Sequence, residues 1–173
     1  MILSVDPGRV YPAISRWEGG VLKKTYKPQF KGKTGEKRLK QVQDWLNNVD
    51  GNIDLLIVEC NSKYGGSDIG CYFAAIAFER GIEICIVSPI HVAMWASKFY
   101  NSELTRIPRN VKKKRTKELV EILTEKENLT FDEADSILNY FYWYNVKSDI
   151  RHRNNQPESN DSHQPGTGAP VKL

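Results

Sequence analysis

The segment that most constrains the fold is the apolar run at residues 53–60, Ile-Asp-Leu-Leu-Ile-Val-Glu-Cys. Its near-continuous aliphatic character predicts a strand buried on both faces, within a sheet that helices cover on both sides. Residues 2–5 form a second, shorter apolar run, which ends at the turn residues Asp6-Pro7-Gly8. Two such strands predict a sheet at the centre of the molecule rather than an all-helical fold.

The other segments predict a regular order of elements. Residues 10–17 and 21–26 are strand-like and meet at a Gly-Gly pair, which predicts a hairpin, and residues 83–87 predict a fifth strand. Apolar residues at helical spacing, with Thr130 as the cap of the last helix, predict helices at residues 36–49, 67–80, 88–99, 112–126 and 131–147. The order βββαβαβααα predicts an α/β fold with a mixed five-stranded sheet flanked by helices.

The composition bounds the domain organisation. A chain of 173 residues with 40% hydrophobic residues can form one domain with a real core. From residue 149 onward the chain is almost free of apolar residues, so we expect a domain over residues 1–148 and a disordered tail over residues 149–173. We expect no membrane-spanning segment, because no apolar run reaches about 18 residues, and no signal peptide at the N-terminus.

The three cysteines argue against a disulfide scaffold or a zinc finger. Cys60, Cys71 and Cys85 lie in apolar stretches and lack metal-ligand spacing. We therefore predict buried free thiols and an intracellular, reducing compartment.

Four acids stand where an unpaired charge would be costly. Asp6 ends one predicted strand, and Glu59 lies next to the end of another. Asp132 and Asp135 are three residues apart on one face of the last predicted helix. Buried carboxylates need partners, and Mg²⁺ or Mn²⁺ binds such hard oxygen ligands. The sequence therefore predicts a carboxylate metal site.

Each acid alone also has an ordinary structural explanation. Asp6 suits a turn, Glu59 could pair with a lysine or cap a helix, and the two aspartates suit the dipole of a helix N-terminus. Glu133 lies about 100° round the helix from Asp132, so we predict that it is solvated. The joint occurrence of the four acids favours a site, and such a site can hold two ions for displacement at phosphorus.

Basic residues are concentrated in two segments, although the net charge is only +4. Residues 23–40 and residues 98–117 each contain eight lysines or arginines and a single acid. Clusters of this kind are typical of proteins that bind nucleic acid, and a solvated surface is the alternative for either cluster alone. The residues predicted to contact nucleic acid are Lys31, Lys33, Lys112, Lys113, Lys114, Arg115 and Lys117.

Four segments resemble, in order and spacing, the motifs of RuvC-type Holliday junction resolvases of the RNase H-like superfamily. They are residues 2–8 (ILSVDPG), 55–59 (LLIVE), 88–92 (SPIHV) and 132–138 (DEADSIL). The resemblance covers about residues 1–145. It implies an RNase H-like fold, a homodimer with two symmetric sites, and Mg²⁺-dependent nicking of four-way DNA junctions by paired cuts.

The resemblance also implies roles for individual residues. It assigns metal binding and catalysis to Asp6, Glu59, Asp132 and Asp135, with two ions per site bridged by Asp6. It places Glu59 near the attacking water. It gives Tyr64 or Tyr72 a role in stacking on unpaired bases at the crossover, and an ordinary core or surface tyrosine is the alternative for each. It favours the apolar helix at residues 67–80 as the dimer contact.

Three features depart from the family pattern: the loop after Glu59, the lysine-rich residues 23–40 and the polar tail. These features suggest a divergent family member, viral or organellar. We expect it in the cytoplasm or nucleoid, or in the host cell if it is viral. The first alternative is a nuclease of the same fold that acts on RNA or an RNA–DNA hybrid. The second is a non-catalytic nucleic-acid-binding module, and a weaker third is an actin-like ATPase, which the chain is too short to form.

Overall fold

The computed structural model describes residues 1–8, 10–60, 68–99 and 107–154, with only the backbone over residues 147–154. The elements follow the predicted order. They are β1 (Ile2–Asp6), β2 (Ala13–Glu18), β3 (Val21–Tyr26), α1 (Gly35–Asn47), β4 (Leu55–Glu59), α2 (Asp68–Glu79), β5 (Glu83–Val87), α3 (Pro89–Ala96), a 3₁₀ turn (Ser97–Phe99), α4 (Arg109–Thr124) and α5 (Phe131–Asn154).

The five strands form one mixed sheet in the order β3-β2-β1-β4-β5. β1 is antiparallel to β2 and parallel to β4, β2 is antiparallel to β3, and β4 is parallel to β5. This sheet, with helices on both faces, is the RNase H-like architecture, so the predicted fold class is confirmed.

The alternation of side chains along β1 and β4 divides the core into two layers. Leu3, Val5, Leu56 and Val58 pack with α1 and α2 on one face. Leu55 and Ile57 pack on the other face with α3, α4 and α5. All four residues of the run at 55–58 are buried, as the apolar pattern predicts.

Helix α5 lies across the second face and is held there by aromatic packing. The rings of Trp17 and Tyr140 stack with their centroids 3.7 Å apart and their planes within 8°. Ser15 donates a hydrogen bond to the carbonyl oxygen of Ser136, at 3.2 Å. These contacts fix the distance between α5 and the middle of the sheet, and so the position of the aspartates at its start.

Several helix boundaries differ from the predicted ones. Helix α4 starts at Arg109 rather than at residue 112, directly after Pro108, because proline is tolerated at a helix start and not within one. Helix α5 continues to Asn154, past the predicted end at residue 147. The last turns of α5 are polar, and a polar run does not by itself end a helix. The tail beyond residue 154 lies outside the described residues.

Two predictions of burial are wrong. Cys60 and Cys71 are exposed and Cys85 is half-buried, although all three were expected to be buried. Cys60 follows the end of β4, Cys71 faces outward on α2, and Cys85 lies on the edge strand β5. Phe131 is the first residue of the apolar stripe that continues at Ala134 and Leu138, a stripe that predicts burial in the core, but Phe131 is 45% exposed at the start of α5. Among the described residues, no helix combines the length and the apolar content that a membrane crossing requires.

Candidate active site

Two neighbouring parallel strands deliver the first two acids to one place. In the register of β1 and β4, Val5 lies opposite Val58, so Asp6 and Glu59 follow side by side at the carboxyl edge of the sheet. Alternation points Asp6 to the same face as Ile2, and Glu59 to the same face as Ile57. Both Ile2 and Ile57 belong to the layer of α5, so both acids face that helix.

The start of α5 is secured by a capping box. The Thr130 hydroxyl accepts a hydrogen bond from the backbone N–H of Glu133 at 3.3 Å, and the Glu133 carboxylate accepts one from the backbone N–H of Thr130 at 2.8 Å. The Thr25 hydroxyl on β3 donates to the same carboxylate at 2.7 Å. Glu133 therefore ties α5 to the sheet, and the prediction that it is solvated is wrong. The capping role predicted for Thr130 is confirmed.

The four predicted acids converge. One carboxylate oxygen each from Asp6, Asp132 and Asp135 lies within 4.8 Å of the others. Glu59 is not part of that trio, but it lines the same cavity of about 630 Å³. Gly8 after β1, Ile107 before α4 and side chains of three helices complete the cavity wall: Pro89, Val92 and Ala93 of α3, Arg109, Lys112, Lys113 and Thr116 of α4, and Leu138 and Asn139 of α5.

A lysine from α4 reaches into the acidic cluster. The Lys113 Nζ lies 3.1 Å from the Asp132 Oδ1 and 3.4 Å from the Asp135 Oδ2, and its side chain is only 24% exposed. On the other side, the Lys27 Nζ lies 3.3 Å from the Asp132 Oδ2. Lys113 was predicted to contact DNA, and the structure places it among the carboxylates instead of on the outer surface. The position of Lys27 could not be predicted from the sequence, since one lysine in a lysine-rich segment has no distinguishing pattern.

Burial and the charges of neighbouring residues shift the pKa values of the acids. Burial, together with the charges of Glu59, Asp135 and Asp132, raises the pKa of Asp6 well above its ordinary value. Burial raises the pKa of Asp135, against the opposing effect of Lys113. Burial also acts to raise the pKa of Asp132, but hydrogen bonds and attraction from Lys113 and Lys27 outweigh it and lower that pKa. Burial acts to lower the pKa of Lys113, but the neighbouring aspartates raise it. The pKa of Lys113 therefore lies above its usual value.

Glu59 has a partner that the sequence analysis missed. The Nδ2 of Asn139 donates to the Glu59 Oε2 at 3.3 Å. Burial and the charge of Asp135 raise the pKa of Glu59, and the Asn139 hydrogen bond acts in the opposite direction. Asn139 lies seven residues after Asp132, and helical spacing places it on the same face of α5. That spacing was the signal available in the sequence.

The basic residues predicted to contact nucleic acid fall into different surroundings. Lys112 lines the cavity, and so does Arg109, which the sequence analysis left unassigned. The Lys114 Nζ is 3.9 Å from Glu118 and the Lys117 Nζ is 3.5 Å from Glu121, one helical turn on. Arg115 is half-buried on α4, while Lys31 and Lys33 are exposed before α1 and do not line the cavity. Tyr64 lies outside the described residues.

The donor set fits a divalent cation of the Mg²⁺ class. Three half-buried carboxylates converge with oxygen atoms only, and burial together with repulsion from the neighbouring acids raises the pKa of Asp6. Oxygen ligands with carboxylate charge are those that Mg²⁺ and Mn²⁺ prefer. Asp6, Asp132 and Asp135 would hold one such ion, and Glu59 is placed to contribute to a second.

Comparison with known proteins supports the fold. No protein-family model matches the chain, and no curated protein matches it either. Among solved structures, RuvC of Thermus thermophilus is similar over 84% of this chain and 95% of its own, with 13% identity and a TM-score of 0.52.

The fowlpox virus Holliday junction resolvase is less similar. In its complex with substrate Holliday junction DNA it gives a TM-score of 0.49 at 15% identity, over 90% of this chain and 99% of its own. Another structure of the same resolvase gives 0.45 at 16% identity, over 86% and 98%. Of these three structures, RuvC has a TM-score above 0.5, and at 13% identity the likeness shows the fold alone. The chain has the RNase H-like fold that RuvC also has.

Proposed function

We propose that this protein is a Mg²⁺-dependent endonuclease that resolves four-way DNA junctions by paired, symmetric nicks. The observation that carries the proposal is the convergence of the Asp6, Asp132 and Asp135 carboxylates in one cavity at the carboxyl edge of the sheet. The resemblance of the sequence motifs to RuvC-type resolvases supplies the substrate class. The fold shared with RuvC supports the proposal.

The cavity combines an acidic floor with a basic rim. Arg109 and Lys112 line it beside the carboxylates, where they would neutralise the phosphates of a DNA strand that passes over the acids. Without these basic residues, the negatively charged carboxylates would repel a phosphodiester. This juxtaposition favours a site for phosphodiester chemistry over a site for a small cationic ligand.

The roles of the acids follow from their surroundings. Two divalent ions would supply Lewis-acid stabilisation of charge at phosphorus and a water activated for attack. Glu59, Asp135 and Asp132 all act electrostatically on Asp6, so Asp6 is the acid best placed to contribute to both ions. Lys113 holds Asp132 and Asp135 together in the absence of a metal.

The proposed homodimer uses the outer side of α2. Phe73, Ile76 and Ala77 of this helix are buried in the core, whereas Phe78 is 82% exposed. Ile86 on the neighbouring edge strand β5 is 55% exposed. A second copy would cover these apolar side chains and give the two active sites that paired nicks require.

The test is cleavage of an end-labelled synthetic four-way junction, with linear duplex and an RNA–DNA hybrid as competing substrates. Each substrate is incubated with Mg²⁺, with EDTA, and with the Asp6→Asn protein in Mg²⁺. We expect paired nicks near the crossover, which EDTA and Asp6→Asn both abolish, while Asp6→Asn still binds the junction.

Two results would contradict the proposal. Preferential cleavage of the hybrid would keep the active site but replace the substrate with an RNA–DNA duplex. Binding of the junction without cleavage under any condition would favour a non-catalytic nucleic-acid-binding module.

A further inference from the structure

Asn139 is fully buried and has only half of its amide satisfied. Its relative exposure is 0%, and its Nδ2 donates to the Glu59 Oε2 at 3.3 Å. No donor among the described residues reaches its Oδ1, which is itself inaccessible to solvent. Helix α5 thus places the Asn139 amide against Glu59 at the end of β4. The amide oxygen has no hydrogen bond among the described residues.

An unpaired buried amide oxygen destabilises the folded protein, because that oxygen is hydrogen-bonded to water in the unfolded chain. An aliphatic side chain of the same size would fill the position without that cost, as Leu138 does next to it. The one contact that the amide makes is directed to Glu59, at the wall of the cavity. The hydrogen bond to Glu59 therefore explains an asparagine at this position, whereas packing in the apolar core does not.

Among the described residues, Glu59 and Asp6 lack the lysine partners that the other two acids have. Asp132 has two lysines within 3.3 Å and Asp135 has one at 3.4 Å. For Glu59, the one side-chain hydrogen bond that the described residues provide is the one from Asn139. A donor at Oε2 fixes the rotation of the carboxylate and leaves Oε1 for another ligand.

We propose that Asn139 is a positioning residue that holds the Glu59 carboxylate toward the aspartate cluster, at the expense of folding stability, so that Glu59 keeps one oxygen for a divalent cation. This inference rests on the proposed function for the identity of the cation and of the reaction. It assigns Asn139 no contact with the substrate.

The experiment compares the full-length wild-type protein with Asn139→Leu and with a control, Ser4→Ala. The hydroxyl of Ser4 is likewise buried and without a partner among the described residues, but nothing connects it to Glu59. Thermal unfolding is followed without DNA, first in EDTA and then over a Mg²⁺ titration. Cleavage of the four-way junction is measured in parallel, with kcat and KM determined separately.

We expect Asn139→Leu to melt in EDTA at or above the wild-type temperature. Half of its Mg²⁺-induced thermal shift should require about 10–100-fold more Mg²⁺, and its kcat should fall by a similar factor with KM for the junction unchanged. Ser4→Ala should match the wild type in Mg²⁺ dependence and in cleavage. In a Glu59→Gln background, Asn139→Leu should add no further loss, because the residue acts through Glu59.

A wild-type Mg²⁺ dependence in Asn139→Leu would overturn the inference, as would additive losses in the Glu59→Gln background. If leucine prevents folding, the unbranched Asn139→Met takes its place, and failure of both to fold would make the amide a structural requirement and overturn the inference as well. A wild-type protein that binds Mg²⁺ but cuts no junction would contradict the proposed function alone. The Mg²⁺ titration would then decide the role of Asn139 by itself.

Discussion

Asp6 is a proposed metal ligand whose buried negative charge destabilises the metal-free protein. Its carboxylate is buried next to Glu59, Asp132 and Asp135, and burial together with their charges raises its pKa well above the ordinary 3.8. A raised pKa means that the folded protein binds this proton more tightly than the unfolded chain does. The contribution of Asp6 to stability therefore falls as the pH rises from the ordinary carboxyl range through the raised pKa.

We expect Asp6→Asn to stabilise the metal-free protein, because the amide removes a buried negative charge from among three others. In EDTA, its melting temperature should exceed that of the wild type near neutral pH, and the difference should shrink as the pH falls toward 4. Each kcal/mol corresponds to about 2–4 °C for a chain of this size. Addition of Mg²⁺ should raise the melting temperature of the wild type and not of the variant. A lower melting temperature for the variant across the whole pH range would contradict this account.

Lys113 has the opposite effect, since its ammonium separates acids that would otherwise repel one another. We expect Lys113→Met to lower the free energy of unfolding in EDTA by about 1.5–3 kcal/mol, the range for hydrogen bonds to charged groups. Mg²⁺ should restore more stability to the variant than it adds to the wild type. Denaturant unfolding with and without Mg²⁺ measures both effects. The matched control is Lys114→Met, because the Lys114 side chain is 76% exposed and lies 3.9 Å from Glu118, away from the aspartates.

At the scale of elements, helix α4 divides its basic residues between the cavity and the outer surface. Arg109 and Lys112 line the cavity, whereas Lys114 and Lys117 pair with glutamates one turn on. A lysine that faces a carboxylate gains less from a phosphate, because the carboxylate also repels the DNA. The basic run at residues 112–115 therefore does not act as one uniform surface.

We expect the double change Arg109→Ala and Lys112→Ala to reduce the salt dependence of junction binding. The log–log slope should become shallower by about 0.9 for each lost phosphate contact, so by about 1.8 for the pair. The double change Lys114→Ala and Lys117→Ala, which alters the net charge equally, should change the slope less. Equal changes for the two pairs would mean that the whole face of α4, and not the cavity rim, contacts phosphate. Fluorescence anisotropy in EDTA over a range of salt concentrations measures both slopes.

At the scale of the whole molecule, the proposed paired nicking depends on two copies of the chain. Apolar surface remains on α2 and on the edge strand β5, where Phe78 and Ile86 are exposed. Edge strands with exposed apolar side chains are commonly covered by a partner. The two active sites of a junction-cutting dimer would be related by the symmetry of that contact.

We expect Phe78→Glu to convert the dimer into a monomer without loss of folding, since the Phe78 side chain is 82% exposed and contributes little to the core. Sedimentation equilibrium should give the mass of one chain for the variant and of two for the wild type. On a circular junction substrate, the variant should release singly nicked products in place of paired cuts. Glu79→Gln, a change at the next position of α2, serves as the control. A wild-type protein that sediments as a monomer would contradict the proposed dimer.

Local patterns were sufficient for much of the architecture. The apolar run that ends at Glu59 predicted a strand buried on both faces, and the turn residues after Asp6 predicted the end of β1. Strand alternation and helical spacing depend on backbone geometry alone, so the acids at strand ends and on one face of α5 could be recognised without tertiary information. The element boundaries were predicted less accurately, because α5 is several residues longer than predicted and α4 begins earlier.

The sequence by itself determined the order of the elements, the mixed sheet and the four acids, because these depend on local hydrophobic periodicity and on turn chemistry. Only the tertiary structure decided which charges meet. Lys113 belongs by sequence to a basic run, and packing of α4 against α5 places it between Asp132 and Asp135. Asn139 looked like an ordinary polar residue on the last helix, and the crossing of α5 over β4 aims its amide at Glu59. Long-range contacts of this kind have no local signal, since they arise when distant elements pack at a particular angle and register.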